Sequence, residues 1–72
     1  MPRTIMPEQA ALKAAIRAHL ERNTHVLLGD IARACCLDYA RVYYWLNGRT
    51  LNMREGAGLD ALRRWVQEHC HE

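Results

Sequence analysis

Apolar residues recur every three or four positions over residues 7–22, which is the spacing of one face of an α-helix. The residues of this stripe are Leu12, Ala15, Ile16, His19 and Leu20. Pro7 suits the first helical position, where its missing N–H costs no hydrogen bond. The pattern therefore predicts a first helix over residues 7–22, with His19 packed on its buried side.

A second, shorter helix is predicted from about Leu27 to Cys35 or Cys36. The residues expected on its buried face are Ile31, Ala34 and Cys35. Ala32 is small enough to let another helix approach closely.

A third helix is predicted over residues 39–46, because Leu37-Asp38 interrupts the pattern and Asp38 is a good N-cap. Its core positions are Val42, Trp45 and Leu46. Asn47-Gly48 should end this helix, since both residue types accept the left-handed backbone conformation found at helix C-termini.

The last helix has a less certain beginning. Asn52 and Glu55 have the spacing of a capping box, which favours a start at Met53, whereas Gly56 and Gly58 favour a start at Leu59. Its apolar stripe consists of Leu59, Leu62, Trp65, Val66 and His69. The 72 residues are thus expected to form one all-α domain of four to five helices, with residues 1–6 and 70–72 frayed.

The positive charge is concentrated in the middle of the chain. The segment 33–54 contains four arginines and one aspartate, a net charge of +3, whereas the whole chain carries only +2. A locally basic surface of this kind favours a nucleic-acid partner, although an ordinary solvated surface is the simpler alternative.

Several classes of protein fit the sequence poorly. Neither a membrane span nor a signal peptide is indicated, so a cytoplasmic protein is expected. No pairing of a nucleophile with a base is suggested, and we expect neither an enzyme nor a cofactor.

The cysteines predict neither disulfides nor a metal site. Cys35 and Cys36 are adjacent, and with Cys70 they make an odd number. A metal site would have to combine His69, Cys70 and His71 with one of the pair, and the paired spacings typical of zinc ligands are missing.

The segment from Leu28 to Gly48 resembles the helix-turn-helix of the Cro and lambda-repressor-like family. The matching positions, in register and without a gap, are Ile31-Ala32, Cys35, Cys36, Leu37-Asp38, Val42, Trp45 and Asn47-Gly48. Two positions depart from the family pattern. Leu28 stands where Gln, Thr or Ser often touches a phosphate, and Cys36 stands at a turn position where glycine is usual.

The resemblance implies a DNA-binding regulator of phage, prophage or plasmid type, with residues 38–46 as its recognition helix. Such a protein is expected to bind a palindromic site in double-stranded DNA as a homodimer. Because Val42 and Trp45 face the core, the expected DNA-contacting residues are Tyr39, Ala40, Arg41, Tyr43, Tyr44, Arg49, Thr50 and Arg54. The last three would contact the phosphate backbone.

Three alternatives remain open from the sequence. Tyrosine and arginine dominate protein–protein interfaces, so the same face would suit a host regulatory protein, as in an inhibitor or an antitoxin. Tyr43, Tyr44 and Trp45 would otherwise belong to the core of a plain helical bundle. Trp65 and Val66 are candidates for the dimer contact, but Trp65 is equally suited to the core.

Overall fold

In the computed structural model, which describes residues 4–70, four helices follow one another with no strand in that range. They are α1 (Pro7–Arg22), α2 (Leu28–Ala34), α3 (Tyr39–Leu46) and α4 (Ala57–His69). Helix α1 packs on α4, and α2 packs on α3. The prediction of an all-α domain is confirmed, and so are the predicted bounds of α1 and α3.

The turn between α2 and α3 is a Schellman motif. The N–H of Leu37 donates to the carbonyl of Ala32 over 2.8 Å, and the N–H of Cys36 donates to that of Arg33 over 3.1 Å. Cys36 has a φ of 56°, which confirms that a non-glycine residue occupies the left-handed position. Leu37 then packs on α4, where its Cδ2 lies 2.7 Å from the place that a Cβ on Gly58 would occupy.

The hydrophobic core draws on all four helices. Its fully buried apolar side chains are Ile16, Ile31, Val42, Trp45, Leu59 and Leu62. Ala34 was expected to be buried but is exposed, because α2 turns Ala32 rather than Ala34 towards the interior. Asp38 stands at the N-cap of α3 without making a side-chain capping bond.

The expected capping box at Asn52 and Glu55 does not form. Asn52 bonds instead to the start of the chain, where its Oδ1 accepts from the N–H of Met6 over 2.8 Å and its Nδ2 donates to the carbonyl of Thr4 over 3.1 Å. Helix α4 therefore begins at Ala57, between the two predicted starts, after an N-cap at Gly56 with a φ of 155°.

Candidate nucleic-acid interface

The outer face of α3 is set by the three side chains on its inner face. Val42, Trp45 and Leu46 are buried, and the remaining residues of the helix are exposed. The eight residues expected to contact DNA are all exposed, and they are Tyr39, Ala40, Arg41, Tyr43, Tyr44, Arg49, Thr50 and Arg54. The α3 residues of this set lie on one solvent-facing surface, and the loop after α3 supplies the others.

Tyr39, Tyr43 and Tyr44, here called the tyrosine cluster, are 52%, 45% and 41% exposed. The rings of Tyr39 and Tyr43 stack with their centroids 5.9 Å apart, and Tyr43 meets Tyr44 edge-on at the same distance. In the part of the chain that the structure describes, the three hydroxyl groups make no hydrogen bond. The cluster thus presents ring surface together with unused donors and acceptors.

Two arginines outside the basic segment 33–54 are held by other groups of the protein. Arg17 donates to the carbonyl of Leu46, and Arg63 is bound by Glu8, Glu55 and Asp60. Hydrogen bonds from Arg63 to Glu55 above all, and then to Glu8 and Asp60, raise the pKa of its guanidinium.

The arginines of the basic segment behave differently. Arg33, Arg41, Arg49 and Arg54 are exposed, and among residues 4–70 they form no ion pair or side-chain hydrogen bond. Their N–H donors therefore remain available to a partner, and Coulomb attraction favours an anionic one.

Arg49 lies against the tyrosine cluster. Its guanidinium carbon lies 5.0 Å from the centre of the Tyr44 ring, a cation–π distance. Thr50 closes the same loop, because its N–H donates to the carbonyl of Tyr44 over 3.0 Å. This contact between Arg49 and Tyr44 was not predicted from the sequence.

Two buried polar residues support α3 from behind. Gln9 is fully buried, accepts from Trp45 Nε1 over 2.9 Å and from the N–H of Met53 over 2.6 Å, and donates to the Met53 carbonyl over 3.0 Å. Lys13 donates to the carbonyl of Leu51 over 2.7 Å, and its ammonium lies 5.3 Å from the Trp45 ring centre. Burial, and then repulsion from Arg17, lower the pKa of Lys13.

The burial of Gln9 and Lys13 was not predicted from the sequence, because polar side chains are usually exposed. The available signal was their spacing, since Gln9, Lys13 and Ile16 follow each other at intervals of four and three and so share one helix face.

The two residues predicted to form the dimer contact lie in different environments. Trp65 is buried in the core, between His19, which meets it edge-on at 5.0 Å, and His69, which stacks on it at 4.6 Å. Val66 is half-buried and retains some accessible surface.

Cysteine and histidine side chains do not gather into a metal-binding group anywhere in residues 4–70. Cys35 is buried, Cys36 is exposed and Cys70 is half-buried, and all three thiols are free. His71 lies outside the described residues. In the same range no helix has both the length and the apolar character needed to cross a membrane.

The beginning of the helix-turn-helix segment departs from a typical phosphate-binding surface. Leu27, which precedes α2, is 65% exposed, and Leu28 is the first residue of that helix. Neither side chain is able to bond a phosphate.

No family model, curated protein or solved structure matches this chain.

Proposed function

We propose that this protein is a small sequence-specific DNA-binding regulator of the Cro and lambda-repressor-like type. In this proposal α3 enters the major groove, and its tyrosines and Arg41 meet base edges. A single module of this size buries little surface, so two copies bind the halves of a palindromic site.

The observation that carries the proposal is the unused hydrogen-bonding capacity on one face. Arg41 and the tyrosine cluster project from the outer side of α3, and none of them bonds to another described side chain. Guanidinium groups are suited to guanine edges and phosphates, and tyrosine rings are suited to thymine methyl groups. Helix α2 and the Schellman turn support the proposal by holding α3 on the surface of the domain.

The test is a titration of the protein against mixed genomic DNA fragments at low and moderate salt, with the bound fragments sequenced. Enrichment of one palindromic site that survives added salt is the expected result. Failure to bind DNA at low salt, in protein shown by circular dichroism to be helical, would contradict the proposal. Salt matters because phosphate contacts alone give binding that is independent of sequence and falls steeply with ionic strength.

A second candidate function, binding to a host regulatory protein, is favoured by one specific observation. The tyrosine cluster exposes large aromatic side chains next to α2, where the Tyr39 ring lies close to Gly29, and Leu27, which precedes α2, is exposed as well. Exposed aromatic residues next to arginine are typical of protein-binding hot spots. Failure to bind DNA combined with capture of one regulatory protein, lost in Tyr43→Ala, would favour this function.

A further inference from the structure

Tyr44 and Arg49 are five residues apart in sequence and form one unit in the fold. Gly48, with a φ of 84°, turns the chain after α3, and the bond from the Thr50 N–H to the Tyr44 carbonyl draws the loop back. Arg49 is thereby placed with its guanidinium carbon 5.0 Å from the Tyr44 ring centre.

Contact with the ring leaves the hydrogen-bonding capacity of Arg49 intact. A guanidinium is planar, and its N–H donors radiate from its edge. Among residues 4–70 these donors have no hydrogen-bond or ion-pair partner. The ring restricts the side chain before any partner arrives, which lowers the entropic cost of ordering it on binding.

Tyr44 and Arg49 lie close enough together to reach two neighbouring bases. Successive bases on one strand of duplex DNA lie about 3.4 Å apart, so 5.0 Å exceeds one such step and is less than two. An arginine edge pairs with O6 and N7 of guanine, and an apolar surface suits the C5-methyl group of a pyrimidine in the major groove.

We propose that Tyr44 and Arg49 together read a 5-methylpyrimidine followed by guanine. Arg49 donates to O6 and N7 of the guanine. The methyl group of the preceding pyrimidine packs on the apolar surface that the Tyr44 ring forms with the stacked guanidinium of Arg49. This inference rests on the proposed DNA-binding function, and it replaces the expectation that Arg49 contacts only phosphate. The methyl group belongs either to thymine or to 5-methylcytosine.

The experiment uses duplexes of the enriched site in which one pyrimidine–guanine step is varied. The pyrimidine of this step is thymine, uracil, cytosine or 5-methylcytosine. The base paired with it on the opposite strand is adenine for thymine and uracil, and guanine for cytosine and 5-methylcytosine. We expect loss of the methyl group to weaken binding about fourfold, the effect of one buried methyl group. Equal binding of the thymine and 5-methylcytosine duplexes identifies the methyl group itself as the feature read, whereas preference for one of them identifies the natural source.

Matched variants assign the effect to the two residues. Tyr44→Ala should abolish the difference between thymine and uracil, while Tyr44→Phe keeps the ring and should preserve it. Replacing the guanine by 7-deazaguanine removes N7 and should weaken the wild type about tenfold but leave Arg49→Ala unaffected.

Specific binding in which thymine and uracil duplexes differ less than twofold at every such step would overturn the inference and leave the proposed function standing. An enriched site without any pyrimidine–guanine step would do the same. A uniform loss of affinity for all sequences in Arg49→Ala would show a phosphate contact and also overturn it. Absence of DNA binding by folded protein would overturn both proposals.

Discussion

The indole Nε1 of Trp45 donates a hydrogen bond of 2.9 Å to Oε1 of Gln9, and both side chains are fully buried. The same Oε1 accepts from the N–H of Met53 over 2.6 Å. One glutamine thus holds α3 and the following loop on α1, while the opposite side of α3 is left to solvent. The orientation of the candidate interface depends on this buried amide.

Gln9→Leu should lower the free energy of unfolding by about 3 kcal/mol, because it leaves the buried N–H groups of Trp45 and Met53 without an acceptor. A loss of this size shifts the Tm of so small a domain downward by well over ten degrees. Thermal unfolding followed by circular dichroism measures it. Gln67→Leu, at an exposed position of α4, is the matched control. Equal Tm values for the two variants would contradict the assigned role.

Gly58→Ala should destabilise the protein by at most about 1 kcal/mol, since its Cβ would lie 2.7 Å from Cδ2 of Leu37, the end of a side chain that must shift, and the helix propensity of alanine offsets part of the cost. In a Leu37→Ala background the clash is absent, and the same change should become neutral or slightly stabilising because alanine favours helix. Urea unfolding of the two single variants and the double variant completes the cycle. Additive effects would show that Leu37 does not restrict position 58.

Cys36→Gly should stabilise the protein by about 1 kcal/mol, because glycine adopts the left-handed conformation without the steric cost of a Cβ. Cys36→Ala removes the thiol but keeps the Cβ, and it should remain near the wild type. Urea midpoints compare the three proteins. A glycine variant no more stable than the alanine variant would show that the turn carries no strain.

Cys35 should resist alkylation in the folded protein, and its ionisation should lower the free energy of unfolding at high pH. Burial, and then the neighbouring Cys36, raise the pKa of the Cys35 thiol above its ordinary value of 9.0. As the pH rises, the unfolded chain therefore loses the Cys35 proton before the folded protein does. The contribution of the Cys35 thiol to the free energy of unfolding is complete below pH 9.0, and it is lost as the pH rises through the higher pKa of the folded protein.

Iodoacetamide labelling with mass spectrometry should modify the exposed Cys36 well before Cys35. As the pH rises from about 8.5 to about 10.5, the urea midpoint should fall more for the wild type than for Cys35→Ala. Equal labelling of the two thiols, or parallel pH profiles, would refute this assignment.

On the proposed function, Arg41→Ala should weaken specific DNA binding without changing the fold, because the side chain projects from the outer face of α3 and makes no bond within the described chain. Loss of one bidentate base contact costs about 1–3 kcal/mol, or five- to a hundredfold in affinity. Arg22→Ala makes the same change in charge at the end of α1 and should leave specific binding near the wild type. Fluorescence anisotropy on the enriched site compares them. Two variants of equal affinity would remove Arg41 from the interface.

The local pattern of apolar residues was sufficient to predict α1 and α3. Pro7 and the apolar stripe through Ile16 define α1, and Gly48 ends α3. Each of these signals affects only the few residues around it. The same locality explains why the outward direction of the tyrosine cluster was accessible from the sequence, whereas the left-handed turn at Cys36 was implied by the resemblance to the Cro and lambda-repressor-like family. Spacing along a helix determines which side chains share a face, whatever the helix packs against.

Only the tertiary structure decided which polar groups became internal and which remained free. Gln9 bonds to partners 36 and 44 residues away, Asn52 caps the start of the chain instead of α4, and Arg49 meets Tyr44 across a turn. Gln9 and Asn52 each required a partner from a distant segment of the chain, and a buried polar group is stable only when such a partner is found. The sequence by itself determined the bounds of α1 and α3 and the outer face of α3, and long-range packing determined how that face is held and which arginines are left for a partner.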